Sequence, residues 1–133
     1  MERVLLNQDA ATFAHMQNTA IRTMVSDSAQ AFNVTQWSIA SDRATLAAAM
    51  REMMTTDYRK NIGTIRVPTL VLGSWGGYKS FGMTSDMVLG LFQQNYAALP
   101  SVVIHMAPAA RHFIMLDEPN WFLGEIHSFL KTR

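Results

Sequence analysis

Val67-Pro68-Thr69-Leu70-Val71-Leu72 is a short, nearly continuous apolar run that ends in Gly73-Ser74-Trp75-Gly76-Gly77. An apolar run of that length bounded by glycine predicts a strand buried on both faces, followed by a glycine-rich loop. Pro68 has no backbone N–H and fits only at the beginning of such a strand. Downstream, Thr84 to Ala98 carries Met87, Val88, Leu91, Phe92 and Tyr96 on one helical face, with Asp86 in the dipole-favoured first turn. Leu99-Pro100 breaks that helix, and Val102-Val103-Ile104-His105-Met106 predicts a second strand. A loop from Ala107 to about Asp117 comes next. Pro119, suited to the first helical position, opens a last helix to about Leu130 whose apolar residues are Trp121, Phe122, Ile126, Phe129 and Leu130.

Strand, helix, strand in this order is a parallel βαβ unit. Parallel sheets are covered on both faces and usually have several strands, so two are too few. The sheet is therefore expected to be completed by another chain or by a part of the protein outside these residues. The fold class that follows is α/β.

Upstream of Ile65 the reading is helical. Asp9 caps a helix through about Val25, with Phe13, Met16, Ala20, Ile21 and Met24 at helical spacing. Ser26 to Ser28 offers caps for a second apolar set, Ala31, Phe32, Val34, Trp37 and Ile39. Ser41 or Asp42 starts a third helix with Leu46, Met50, Met53 and Met54 on one face. Asp57 caps a short turn through Asn61 that Gly63 stops. The expected organisation is a helical segment over residues 1–64 and a β-α-β-α unit over 65–133.

Composition narrows the function classes. Hydrophobic residues make up 49% of the chain and charged residues 16%, the balance of a globular protein. The formal net charge is +1 with no basic block, which argues against nucleic acid as partner. Without cysteine there is neither a disulfide framework nor a Cys-based metal site, and the four histidines lack paired ligand spacing. The stretch from Met1 to Ala10 has no apolar core of secretory-signal length, and no run reaches the roughly 18 apolar residues of a membrane span. These readings predict a cytoplasmic chain with no membrane partner.

The segment richest in chemistry is Ala110-Arg111-His112-Phe113-Ile114-Met115-Leu116-Asp117-Glu118-Pro119-Asn120-Trp121. Here a histidine lies on a loop after a buried strand and just before an amphipathic helix. Such loops project side chains at the carboxyl ends of strands, where α/β sites form. The chain from Ile65 to Leu130 resembles the last two strands and helices of the α/β-hydrolase fold. Ile65 to Gly73 carries that family's I-x-x-P-T-L-V-L strand, and Arg111-His112-Phe113 with Asp117-Glu118-Pro119 is similar to its G-H-F-x-x-x-E-x-P histidine loop. The preceding helices resemble the cap segment often inserted before this strand.

The resemblance implies hydrolysis of an ester, amide or related bond through an acyl-serine intermediate, with His112 as general base and then acid. It implies no cofactor, and a small acyl compound as substrate. The nucleophile elbow G-x-S-x-G is absent from this sequence: Ser74 follows Gly73, but Trp75-Gly76 does not complete the pattern. In the family the serine precedes the cap, so the nucleophile and the oxyanion-hole loop are expected in a complementary N-terminal half. The triad acid is open. Asp86 is the nearest carboxylate after the first strand, but its place in a first helical turn favours the reading as a plain dipole-stabilised residue. In some members the acid lies before the cap. Trp75, Tyr78 and Phe81 are candidates for substrate lining.

Two other readings compete. Gly73 to Ser80 nearly fits the phosphate loop G-x-x-x-x-G-K-[ST], but Tyr78 stands where the second glycine belongs and the helix begins only at Thr84. The methionines of the helical segment suit adaptable core packing and, less directly, an acyl pocket. A non-catalytic module that self-associates through its open sheet edge is the alternative to a catalytic half. His15, His105 and His127 fall inside predicted elements and read as structural or exposed.

Overall fold

The structure, a computed structural model, describes residues 2–132, with side chains described from Leu5 onward. It is mixed α/β: mostly helices, with one small parallel sheet of two strands among the described residues. The chain divides into two compact units, Met1–Asp57 and Tyr58–Arg133. The break falls ahead of the one expected at Ile65. The amides of Asn61 and Ile62 turn back onto the Tyr58 carbonyl at 2.8 and 3.2 Å, and the short 3-10 helix Ile62–Thr64 follows. A Cβ on Gly63 would lie 3.1 Å from the Ala98 carbonyl oxygen, so this turn packs against the second unit's own backbone.

Among the described residues the first unit holds four helices: α1 (Glu2–Asn7), α2 (Ala10–Met24), α3 (Ser28–Ala40) and α4 (Arg43–Thr55). Three of them start at an aspartate. Asp9 accepts from the Thr12 amide at 2.9 Å and its hydroxyl at 2.7 Å. Asp27 accepts from the Gln30 amide, and Asp42 from the Thr45 amide and hydroxyl, all at 2.8 Å. Each cap satisfies an amide that the first helical turn leaves without a partner. The same bonds hold two carboxyls below their ordinary value, the Thr12 amide first for Asp9 and the Thr45 amide first for Asp42, each followed by the threonine hydroxyl.

Packing is pairwise, α2 on α3 and α1 on α4. Phe13 is fully buried with Leu5 and Ala47, and Leu46 packs against them. Ile21, Val25, Ala31 and Val34 are buried as well. Two polar ties cross between elements: Ser38 donates to Gln17 Oε1 at 2.7 Å, and Arg43 donates to the Gln8 carbonyl at 2.7 Å while its guanidinium lies 4.2 Å over the Phe13 ring. The buried Thr35 hydroxyl is satisfied by the Ala31 carbonyl at 2.7 Å.

Several apolar residues expected inside are outside. Phe32 and Trp37 are exposed because α3 buries the Ala31, Val34 and Thr35 stripe instead. Met53 and Met54 are exposed on the last turn of α4. The six residues of α1 span about 9 Å, against about 20 Å for the thirteen of α4, so α1 cannot cover that turn.

In the second unit, β1 (Thr69–Gly73) and β2 (Val102–Met106) pair in parallel, Thr69 opposite Val102 through Gly73 opposite Met106. The helix α5 (Ser85–Asn95) makes the crossover, capped by Thr84, whose hydroxyl accepts from the Met87 amide at 3.3 Å. β1 begins at Thr69, later than the run starting at Val67 suggests. Pro68 cannot donate, so the ladder opens with the Thr69 amide on the Ser101 carbonyl at 2.8 Å and Val67 stays exposed. Beyond β2 come a four-residue helix α6 (Ile114–Asp117) and α7 (Pro119–Lys131), with Pro119 in its first turn. α7 packs on β1 and α5 on β2. Ala107, Ala110 and Ile114 form the buried cluster, against which Leu72, Trp121 and Phe122 pack. Among the described residues no helix is long and apolar enough to cross a membrane.

Candidate functional site

Because β1 and β2 are parallel and in register, both carboxyl ends lie on the same side of the sheet. The loops that leave them meet there. The ladder runs one bond past the strands, from the Ala107 amide to the Gly73 carbonyl at 2.8 Å. The segment after Gly73, expected as an open glycine loop, is instead a 3-10 helix, Gly76–Phe81, that Gly82 ends at φ 75°. The left-handed backbone there suits a residue without Cβ.

Hydrogen bonds from two sides hold the loop after β2. The Trp75 indole Nε1 donates to the Pro108 carbonyl at 3.0 Å. The Gly76 amide donates to the Ala110 carbonyl at 2.9 Å. A Cβ at Gly76 would lie 2.7 Å from the Ala110 carbonyl oxygen and closer still to that of Ala109, so the two loops touch backbone to backbone. From the other side, Glu118 Oε1 accepts from the Ala109 amide and Asp117 Oδ2 from the Arg111 amide, both at 2.7 Å. Ala107 and Ala110 sit in the core and pin the loop between these bonds.

His112 stands on this fixed loop, exposed, between the buried residues Ala110 and Ile114. Its ring meets Phe113 edge-on, with centroids 5.0 Å apart and planes at 81°. An exposed imidazole on a hydrogen-bonded loop is accessible to a bound molecule. Among the described residues no carboxylate hydrogen-bonds to this ring. Asp86 is exposed in the first turn of α5, and no hydrogen bond joins it to His112. The structure does not pair these two residues.

The expected lining residues separate. Tyr78 and Phe81 are exposed, Phe81 at 79%. Trp75 is half-buried and spent on the loop contact, with Lys79 Nζ 4.4 Å over its ring. The same geometry bears on phosphate binding: the Gly76 amide already serves the Ala110 carbonyl and α5 starts at Thr84, well after Lys79-Ser80. A phosphate loop needs those amides free and the helix N-terminus adjacent.

Two features were not visible in the sequence. His105, on β2, forms a 2.5 Å contact from Nδ1 to Glu125 Oε2 on α7, with both side chains partly exposed. This pair forms one side of a shallow pocket of about 180 Å³ with Leu70, Val103, Ser128, Phe129 and Thr132. A second, apolar groove of about 460 Å³ runs between β1 and α7, lined by Leu70, Leu72, Phe122, Ile126, Phe129 and Leu130 among others. Among the described residues no group of three or more His, Asp or Glu side chains is placed to hold a metal ion. No protein-family model matches the chain, and no curated protein or solved structure matches it either.

Proposed function

We propose that this chain is the C-terminal part of a serine hydrolase of the α/β-hydrolase kind, contributing a cap segment, two strands of the sheet and the general base His112. The observation that carries this reading is the exposed His112 on a hydrogen-bonded loop that follows the carboxyl end of a parallel strand, just before α6. In the reaction, His112 takes the proton of a serine hydroxyl as it attacks an acyl carbonyl, then returns it to the leaving group. The serine, the oxyanion donors and the orienting acid come from a complementary N-terminal half. The small acyl substrate binds between the two.

The incompleteness of the sheet supports the need for that half. Every strand residue from Thr69 to Leu72 is only half-buried, and Met87 and Leu91 on the crossover helix are exposed. A parallel sheet covered on both faces would bury those strand residues.

The test is to read the genomic frame upstream of Met1 for a segment with G-x-S-x-G, join it to this chain, and assay short p-nitrophenyl esters. The joined protein should hydrolyse them, this chain alone should not, and His112→Ala in the joined protein should lose about a thousandfold or more in kcat. A joined protein whose activity survives His112→Ala overturns the assignment. The second reading, a module that associates through its sheet edge without catalysis, rests on the open ladder of β1. It is favoured if the frame upstream carries no such segment and sedimentation finds this chain as a stable oligomer.

A further inference from the structure

We infer that Asp117 and Glu118 are positioning residues for His112, holding the loop in its working shape before any other part of the protein is added. The inference rests on the reading of His112 as a base, and its physical core is tested separately from that reading.

Glu118 occupies the position just before α7, where a side chain ordinarily turns back to cap the first helical amides. It does not do so: α7 has no side-chain cap. The carboxylate reaches across to the Ala109 amide instead, 2.7 Å away, and its neighbour Asp117 takes the Arg111 amide at the same distance. A helix start without its usual cap is thus traded for order in the loop. Carboxylates make the stronger class of hydrogen bond to backbone amides. The two acceptors bracket Ala110, whose own carbonyl is held from the opposite side by Gly76. His112 follows Arg111 directly, so its Cα has little freedom once the Arg111 amide and the buried Ile114 are set. A base displaced by an ångström loses much of its rate, which is why such loops are held by more than one bond.

Loop shape and catalysis are read apart. In this chain, amide exchange by NMR should show Ala109 and Arg111 protected. Glu118→Ala should speed exchange at Ala109, and Asp117→Ala at Arg111, by about tenfold or more. Both should also replace the single set of His112 ring signals by a broadened or multiple set. Glu118→Gln and Asp117→Asn keep an acceptor oxygen and should restore most of the wild-type behaviour. The amides of Val71 and Val103, which face the partner strand in this register, report whether the unit is still folded. If an alanine variant unfolds, Glu118→Asp, with its carboxylate one methylene short, takes its place. In the joined hydrolase the same alanine variants should lower kcat while KM stays near wild type, with the amide variants rescuing. Wild-type His112 signals and exchange in folded alanine variants overturn the inference, whether or not the chain proves to be part of a hydrolase. A joined protein with no esterase activity overturns the positioning role in catalysis along with the hydrolase reading, while the exchange data still decide the loop contact.

Discussion

Within each of the two units, hydrogen bonds differ in their reach along the chain. In residues 1–57, the capping contacts that start α2, α3 and α4 join residues three apart: Asp9 to Thr12, Asp27 to Gln30, Asp42 to Thr45. In residues 58–133, the bonds that tie the loop after β1 to the histidine loop come from far along the chain, Trp75 to Pro108 and Gly76 to Ala110. Local bonds cost little chain entropy and form wherever the residues occur, whereas distant ones exist only once the β-α-β unit has closed. The helices of the first unit meet through buried side chains such as Phe13, whereas the histidine loop is held by hydrogen bonds to its backbone from Trp75, Gly76, Asp117 and Glu118.

The sharpest way to break this contrast is to remove the fully buried Phe13. Phe13→Ala should destabilise the helical unit by about 3–5 kcal/mol, because it leaves a cavity against Leu5 and Ala47 and removes the ring under Arg43. Hydrogen exchange should show the loss in α1 to α4 while amides in β1 and β2 keep their protection. Simultaneous loss in both units would mean that the cores are coupled and the contrast is false.

A backbone change should do the same to the other unit with almost no change in side-chain volume. Gly76→Ala drives a Cβ into two carbonyl oxygens that cannot swing aside, and should cost about 1–3 kcal/mol by thermal denaturation. Gly124→Ala in α7 is the control. Nothing lies within 4 Å of its Cβ position, so it should stabilise the unit by roughly 0.5–1 kcal/mol. Equal effects at the two glycines would refute the close loop contact.

The smallest effect concerns pH. Asp9 and Asp42 have folded-state carboxyls below their ordinary value, so the unfolded chain binds protons more readily at these sites. Their contribution is fully present above the ordinary carboxylate value and is lost as pH falls through the lower, folded one. Acidification across that window should lower the thermal stability of the helical unit. The double substitution Asp9→Asn and Asp42→Asn, which keeps the capping oxygen without the charge, should flatten the decline. An unchanged acid profile in that variant would show that other groups control it.

Legibility followed the same division. Asp9, Asp42, Thr84 and Pro119 mark helix starts through their own side chains or ring, and each is where the structure begins a helix. The burial of α3 and α4 was less readable. Phe32, Trp37, Met53 and Met54 are apolar on paper but lie where no partner helix covers them. The place of His112 on a loop after β2 could be read from the strand-loop-helix order, yet the bonds that hold that loop could not. Nothing in the spacing of Trp75 and Pro108, or of His105 and Glu125, announces a contact.

What the sequence determined by itself is the order of the longer helices α2, α3, α4, α5 and α7 and the two strands, and the parallel sense of those strands. All of these depend on caps and apolar periodicity. Tertiary structure alone decided which apolar faces are covered, that the glycine segment winds into a 3-10 turn, and that Asp117 and Glu118 serve the loop rather than the helix that follows them. Those outcomes depend on which surfaces meet after the chain has folded back, and a pairwise distance across a fold is not encoded in any one neighbourhood of the chain.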